Sequence, residues 1–309
     1  MNKPELLVTV GDLSQVERMI HAGADALTLG EERFGMRLPG YFTIEEMKEA
    51  VHLAHTKGVK VYAAVTSLLH NDMLDGLEEY LLNLAEIGVD AIEFADPAVY
   101  MTAKEVIPQV AMHWNAEIIA TSAKTVNYWA SKGIKRAVIA RELNMDEITG
   151  IKEQVDIEIG VQVHGITCIF HSKRELVGSY FEHIGKDRNS ERKDQERKLL
   201  MREEKREENY PVFEDKNGTH IMSNEDICIL ENLDELMDAN INSFRIDGLL
   251  KSAEYNETVV KAYRKAVDLY MDNPSEFYNE VDSLHSKIEE KQDAKRPLTT
   301  GFYFKELVF

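Results

Sequence analysis

The sequence predicts an α/β protein built as a TIM-like (β/α) barrel with a small β-containing insertion before its last strand. Short apolar runs alternate with amphipathic helical segments up to residue 163. Seven predicted strands precede a break in this pattern, and an eighth follows at residues 243–248. Such alternation favours parallel strands joined by right-handed crossovers. A doubly wound open sheet is the alternative architecture.

Each predicted strand is a short apolar run bounded by turn residues. The strands are Leu6–Val10, Ala26–Leu29, Val59–Val65, Ala91–Ala95, Val110–Trp114, Ala137–Ala140, Ile157–Val163 and Ser243–Gly248. Helix ends are equally legible, since Thr43 and Glu46 form a capping box and Gly23 follows the first helix as a C-cap. One helix is predicted to run from Asn71 to Ile87.

Three segments divide the chain. Residues 1–168 hold barrel strands one to seven, residues 169–242 form the insertion, and residues 243–309 hold the last strand, its helix and the C-terminal tail. Within the insertion, residues 186–208 mix both charge signs as a solvated surface does. A hairpin turn is predicted at Lys216–Thr219 and a helix at Leu230–Ala239. The aromatic tail is expected to dock on the domain.

Composition restricts the class of protein. The chain has 309 residues, 44% of them hydrophobic, and a formal net charge of −19. Such a charge repels polyanions, so nucleic-acid binding would need a local basic patch or a partner. The sequence lacks both a signal-peptide pattern and the run of about 18 apolar residues that a membrane span needs. Two cysteines make no disulfide framework. We therefore expect a cytoplasmic protein without membrane attachment.

The cysteine after the seventh strand is the first candidate for chemistry. Cys168 follows His164 by four residues, and the two form the available thiol–imidazole pair for nucleophilic catalysis. A buried structural cysteine is the alternative. As metal ligands, Cys168 and Cys228 supply two thiolates, whereas an iron–sulfur cluster normally takes four.

Polar residues at predicted strand ends form a second group of candidates. The carboxyl ends of the strands carry the active site in such barrels. Two arginines on a glycine-containing loop, Arg33 and Arg37, could also hold a carboxylate or phosphate, although surface salt bridges explain them equally well. Several acidic residues at these positions are alternatively helix caps. The candidates for catalysis are Glu142 and Asp247, and those for substrate binding are Arg37, Asp96, His113, Glu117, Arg141 and Arg245.

A set of short motifs resembles a known family over nearly the whole chain. The motifs are Pro4-Glu5-Leu6-Leu7 with Gly11-Asp12, Gly23-Ala24-Asp25-Ala26 with Leu29-Gly30, Phe34-Gly35-Met36-Arg37, Ala95-Asp96-Pro97, Ala140-Arg141-Glu142-Leu143, Val163-His164-Gly165 with Cys168, Asp226-Ile227-Cys228 and Thr299-Thr300-Gly301-Phe302. Together they are similar to the U32 peptidase family, the collagenase-like peptidases.

The resemblance implies a function that the residue pattern alone does not. Several family members are RNA- or quinone-hydroxylation factors, and the similarity is greatest to short Bacillus-type members. These are linked to prephenate-dependent 5-hydroxylation of the wobble uridine in tRNA, with prephenate as a co-substrate. Hydroxylation members carry an iron–sulfur cluster on four cysteines. Here Cys168 and Cys228 match two of them, and Glu175 stands where another is expected.

The incomplete cysteine set leads to an expectation about partners. We expect no cofactor in this chain alone, and a related U32-family subunit with the complete cysteine set as its partner. The tRNA would then bind through the complex, and this chain would be one component of an enzymatic hydroxylation system. A collagenase-like peptidase and a non-catalytic partner subunit are the alternatives.

Overall fold

The predicted barrel is confirmed in the computed structural model, which describes residues 2–115, 117, 119–188, 199–203, 205 and 208–306. Its strands are β1 (Glu5–Thr9), β2 (Ala26–Leu29), β3 (Lys60–Val65), β4 (Ala91–Phe94), β5 (Ala111–Asn115), β6 (Arg136–Val138), β7 (Glu158–Ser172) and β11 (Ser243–Ile246). Neighbours in chain order pair in parallel from β1 to β7. Because β11 pairs in parallel with both β7 and β1, the sheet closes into a ring.

Helices surround this ring. They are α1 (Leu13–Ala22), α2 (Ile44–His55), α3 (Asn71–Leu74), α4 (Leu77–Ile87), α5 (Pro97–Val106), α6 (Ala123–Ser131), α7 (Met145–Lys152), α9 (Leu233–Asp238), α10 (Ala253–Asp272) and α11 (Pro274–Glu289). The capping box of Thr43 and Glu46 is present, and Gly23 ends α1 with a φ of 106°. None of the helices within the described residues has the length and apolar character that a bilayer crossing requires.

Two helix predictions were wrong in detail. The helix expected from Asn71 to Ile87 is broken, because Asp75 is extended and Gly76 has a φ of 82°, which a continuing helix cannot accommodate. The helix expected over Leu230–Ala239 begins as a 3₁₀ turn and becomes α-helical at Leu233. Helix α11 was not predicted at all.

The insertion extends the barrel sheet beyond its rim. Strand β7 runs to Ser172, past the boundary expected at residue 168, and pairs antiparallel with β10. The strands of this extension after β7 are β8 (Leu199–Glu203), β9 (Glu208–Asp215) and β10 (Gly218–Cys228), with α8 (Leu176–His183) beside them. The predicted turn joins β9 to β10. Most of the charged stretch predicted as a solvated surface lies outside the described residues.

One side chain attaches the hairpin turn to the barrel. The Asn217 amide donates to the carbonyl oxygens of Glu32 at 3.2 Å and Gly35 at 3.1 Å. Its own oxygen accepts from the Ser67 hydroxyl at 2.8 Å. These contacts join the insertion to the loops after β2 and β3, so the extension partly covers the carboxyl end of the barrel.

The C-terminal segment also packs onto the domain, as expected. Strand β12 (Leu298–Thr299) pairs with β10, and the buried Tyr303 hydroxyl donates to the Gln162 carbonyl at 2.7 Å. The fully buried Asp226 carboxylate accepts hydrogen bonds from Gln292 at 2.6 Å and Arg296 at 2.7 Å. The described part of the tail is therefore an integral part of the fold.

Candidate active site at the barrel mouth

Alternate residues of β5 point into the barrel and mark successive levels of its interior. His113 lies low, with its ring 4.7 Å from that of Tyr62. Asn115 is one level higher and donates to Glu93 at 3.4 Å. Glu117, just past the strand, reaches the mouth and pairs with Arg37. His113, predicted to bind substrate, is thus below the mouth, and burial lowers the pKa of its imidazole.

A buried ion pair forms the floor of the mouth. The Arg245 guanidinium donates to both oxygens of Glu93 at 3.0 Å. Its Nε lies 4.0 Å from the Asp247 carboxylate, which accepts from the Thr9 hydroxyl at 3.2 Å. The two hydrogen bonds to Glu93 hold the Arg245 side chain in place, with its Nε facing Asp247 nearer the mouth.

Above this floor, oppositely charged groups continue to the rim. Arg141 lies 3.8 Å from Asp247 and 3.5 Å from one oxygen of Glu117. The other Glu117 oxygen accepts from Arg37 at 2.5 Å. Three arginines therefore alternate with three carboxylates in one connected chain from the barrel interior to the rim. Five of these six residues were predicted as site residues, and the structure brings them together.

Two residues of this series of ion pairs have an unusual backbone conformation. Arg37 and Glu117 have φ values of 56° and 57°, in the left-handed region that costs a non-glycine residue about 1–3 kcal/mol. They are partners in the same ion pair. Arg37 Nε is buried and has no hydrogen-bond partner among the described residues. Strain and an unused donor at one position point to a site built to bind something.

The ionisation of the pair follows from opposing effects. Burial by itself raises the pKa of the Glu117 carboxyl, but the charges of Arg37 and Arg141 outweigh it and hold the pKa at about 2. Burial likewise opposes the charge of Arg37, but Glu117 outweighs it and raises the pKa of the guanidinium. Both groups are therefore charged at neutral pH.

A pocket of about 170 Å³ opens beside Arg37. The barrel lines one side with Arg37, Asn115 and Glu117, and the extension of β7 lines the other with Cys168, Phe170 and His171. Burial raises the pKa of the Cys168 thiol despite the nearby charge of Arg37, so the thiol form is favoured at neutral pH. The pocket combines a wall that carries paired charges with an apolar wall, a combination typical of small-molecule sites.

His164 does not join Cys168. Its ring is fully buried on the outer side of the barrel, with Nε2 3.0 Å from the Tyr255 hydroxyl. Burial lowers the pKa of His164 to about 3. The β7–β11 ladder is irregular between Gln162 and His164, and Gly165 follows with a φ of 110°. These two features change which side chains of β7 point into the barrel. The four-residue spacing therefore does not bring the two side chains together.

The two cysteines are also apart. In the β7–β10 ladder, Cys228 pairs with His164 and Met222 pairs with Cys168. Four residues of β7 separate these levels, or about 13 Å along the strand. Cys228 is buried in the core, its sulfur accepts from the Tyr263 hydroxyl at 3.7 Å, and burial raises the pKa of its thiol to about 11. Within the described ranges, no three His, Cys, Asp or Glu side chains are grouped to hold a metal. These residues do not fit a four-thiolate cluster.

The remaining candidates lie outside the pocket. The Asp96 carboxylate caps α5 by accepting from the Ala98 amide at 2.9 Å, which is the capping role considered above. Glu142 is exposed beyond the rim. Asn115 was missed, although its place between His113 and Glu117 in a two-residue repeat could have revealed it. Phe170 carried no local signal.

Gly165 allows β7 to pass close to the mouth, and replacing it by alanine is a direct test. A Cβ there would lie 2.3 Å from the Asp247 carbonyl oxygen. We expect Gly165→Ala to lower the free energy of unfolding in urea by at least about 2 kcal/mol. Gly150→Ala is the control. Gly150 lies in α7, and a Cβ there would meet nothing within 4 Å in the described structure. Equal stability of both variants would contradict this account.

Fold and mouth together define a (β/α)₈-barrel protein with a pocket at its mouth that is lined in part by arginine and carboxylate side chains. The sequence model of Peptidase family U32 matches residues 11–307. The chain belongs to peptidase family U32.

Named relatives give the family a more specific context. The chain is 49% identical over 309 residues to tRNA hydroxylation protein P2 of Bacillus subtilis, covering 100% of both chains. It is 32% identical to tRNA hydroxylation protein P1 of the same organism, covering 97% of this chain and 71% of the relative. A dihydrodipicolinate synthase from Bacillus anthracis superposes with a TM-score of 0.51 at 10% identity, covering 93% of this chain and 82% of the enzyme, which shows the barrel fold alone.

Proposed function

We propose that this protein acts in the cytoplasm in tRNA modification, in the prephenate-dependent 5-hydroxylation of the wobble uridine. The full-length similarity to tRNA hydroxylation protein P2 carries this proposal. The family name alone says peptidase, whereas the relatives that are 49% and 32% identical to this chain are named for tRNA hydroxylation. The barrel mouth supports the choice because arginine side chains there are suited to binding an anion.

Prephenate suits this pocket by its chemistry. It is a small dicarboxylate, and arginine guanidinium groups bind carboxylates with paired, charge-assisted hydrogen bonds. Arg37 lines the pocket, Arg141 lies next to it through its contact with Glu117, and Phe170 supplies apolar surface for a carbon ring. In this proposal the two arginines hold a carboxylate and the pocket shape orients the ring.

A second subunit is part of the proposal. The net charge of −19 opposes tRNA binding by this chain alone, because affinity for nucleic acid comes largely from cations on phosphates. The two cysteines are too few for a cluster. A related U32-family subunit with the complete cysteine set would supply both the cluster and the basic surface. The existence of P1 and P2 relatives in one organism is consistent with such a pair.

Nucleoside analysis tests the proposed reaction. In a strain lacking this gene and any related one, we expect 5-hydroxyuridine and its derivatives at the wobble position to be lost. Re-expression together with the related subunit should restore them, and a block in prephenate supply should remove them again. Measurement is by mass spectrometry of digested tRNA. Unchanged wobble nucleosides in the deletion strain would reject the function.

Iron analysis tests the pairing. We expect the tagged chain, purified without oxygen from its native host, to retain a second U32-family protein and iron with acid-labile sulfide. The same chain produced alone should hold no iron. About four irons per isolated chain would contradict the proposed division of roles, because that is the content of one [4Fe–4S] cluster.

A non-catalytic partner subunit is the second candidate, favoured by the separation of Cys168 from Cys228. Wobble-uridine hydroxylation by a complex that carries Arg37→Ala distinguishes the two candidates, since a purely supporting chain would tolerate loss of the pocket arginine.

The peptidase alternative has less support, because His164 lies away from Cys168 and a thiol nucleophile needs a base within reach. Casein digestion with a Cys168→Ala control tests it.

A further inference from the structure

The two arginines at the rim are already bridged by a carboxylate of the protein itself. One Glu117 oxygen accepts from Arg37 at 2.5 Å, and the other lies 3.5 Å from Arg141. A bound carboxylate ligand would bridge two arginines in the same way, with one oxygen facing each guanidinium. Glu117 therefore occupies the place that such a ligand would take.

The occupied arrangement is not a relaxed one. Both Arg37 and Glu117 hold left-handed backbone conformations, which non-glycine residues rarely adopt. Arg37 Nε also lacks a partner among the described residues, although only 9% of that side chain is exposed. Glu117 thus uses one edge of the guanidinium and leaves the other donor for an incoming group.

The balance of charge adds a constraint. Arg37, Arg141 and Arg245 are matched by Glu93, Glu117 and Asp247 in the connected chain of ion pairs. An anion that entered while Glu117 stayed in place would add a fourth negative charge to a partly buried site. Two negative charges that lie about 4 Å apart repel each other strongly when they are shielded from water. Entry of an anion is favourable only if Glu117 leaves the arginines.

We propose that Glu117 is a displaceable internal counter-ion, which holds Arg37 and Arg141 in the free protein and gives way to the carboxylate or phosphate of a ligand. The inference rests on the proposed function only for the identity of that ligand as prephenate. Glu117 then lowers the affinity of the pocket for every anionic ligand, since each ligand must compete with it for the two arginines. A small organic acid with a well-placed carboxylate still binds, whereas weakly binding anions do not.

Replacing Glu117 by glutamine removes the competing charge and keeps the side-chain shape. We expect Glu117→Gln to bind small anions at least about 10-fold more tightly than the native protein, because the arginines are then free in most molecules. Isothermal titration with prephenate, phenylpyruvate and inorganic phosphate measures this, and the separate probes distinguish organic acids from phosphate. Glu147→Gln is the matched control, since it removes an exposed charge in the first turn of α7. It should bind as the native protein does.

Equal or weaker binding by a folded Glu117→Gln variant would overturn the inference, as would absence of binding by all probes to both proteins. Glu117→Asp guards against misfolding, since it keeps the charge but shortens the reach to the two arginines, and its affinity should fall between the other two. Failure of the proposed function would look different. In that case the affinity gain would persist while wobble nucleosides did not depend on this gene.

Discussion

Replacing Arg37 by alanine is expected to lower the rate of wobble-uridine hydroxylation about 100-fold while the protein stays folded. Loss of a charge-assisted hydrogen bond to a ligand costs about 1.5–3 kcal/mol, which corresponds to a factor of about 10 to 150, and the expected loss lies near the upper end of that range. The fold should survive because Glu117 keeps Arg141 as a partner at the rim. Arg141→Ala should act in the same direction. The measurement is the initial rate at which modified nucleosides appear after induction of the variant in a deletion strain.

Arg33→Ala provides the control on the same loop. Arg33 is exposed, donates to the Asp75 carbonyl at 2.5 Å and lies over the Phe34 ring, away from the pocket. Its removal should leave the rate unchanged and the circular dichroism spectrum native. A folded Arg37→Ala protein with the native rate would show that the mouth is not the site. An unfolded one would make Arg37 a structural residue.

Local sequence patterns were sufficient for the barrel because its signals are local. Strand β2 lies where its apolar run predicted, and α1 ends at Ala22, directly before the predicted C-cap Gly23. Strand β7 was expected to end at Val163 but continues to Ser172. The continuation depends on pairing with β10, a contact between segments far apart in sequence that a local pattern cannot reveal.

The site was predictable to the extent that its residues followed a regular strand. Glu117, Arg141 and Asp247 follow their strands at the mouth, as the position of barrel active sites suggested. The pairing of Cys168 with His164 was not realised because four residues of an extended strand span about 13 Å, and a ladder irregularity also turns the two side chains in different directions. Such irregularities depend on close approach between distant segments, here of Gly165 to Asp247.

The largest effect on stability is expected at Asp226, which anchors the C-terminal segment. Its carboxylate is fully buried and receives hydrogen bonds from Lys251 at 2.5 Å, Gln292 at 2.6 Å and Arg296 at 2.7 Å. These donors come from the loop after β11, the turn after α11 and the tail. Burial alone raises the pKa of Asp226, but the Arg296 hydrogen bond and the charges of Lys251 and Arg296 outweigh it and hold the pKa at about 2.

Asp226→Ala is expected to lower the free energy of unfolding by about 3–5 kcal/mol, because two cations would lose a buried partner. Urea denaturation measures this loss, and Asp282→Ala, an exposed site on α11, should change it by less than about 0.5 kcal/mol. Since the pKa is lowered on folding, the stabilisation is complete above about pH 4 and disappears as pH falls towards about 2. The stability gap between native protein and Asp226→Ala should therefore narrow over that interval. A gap that stayed constant down to pH 2 would mean that the carboxylate's charge does not contribute.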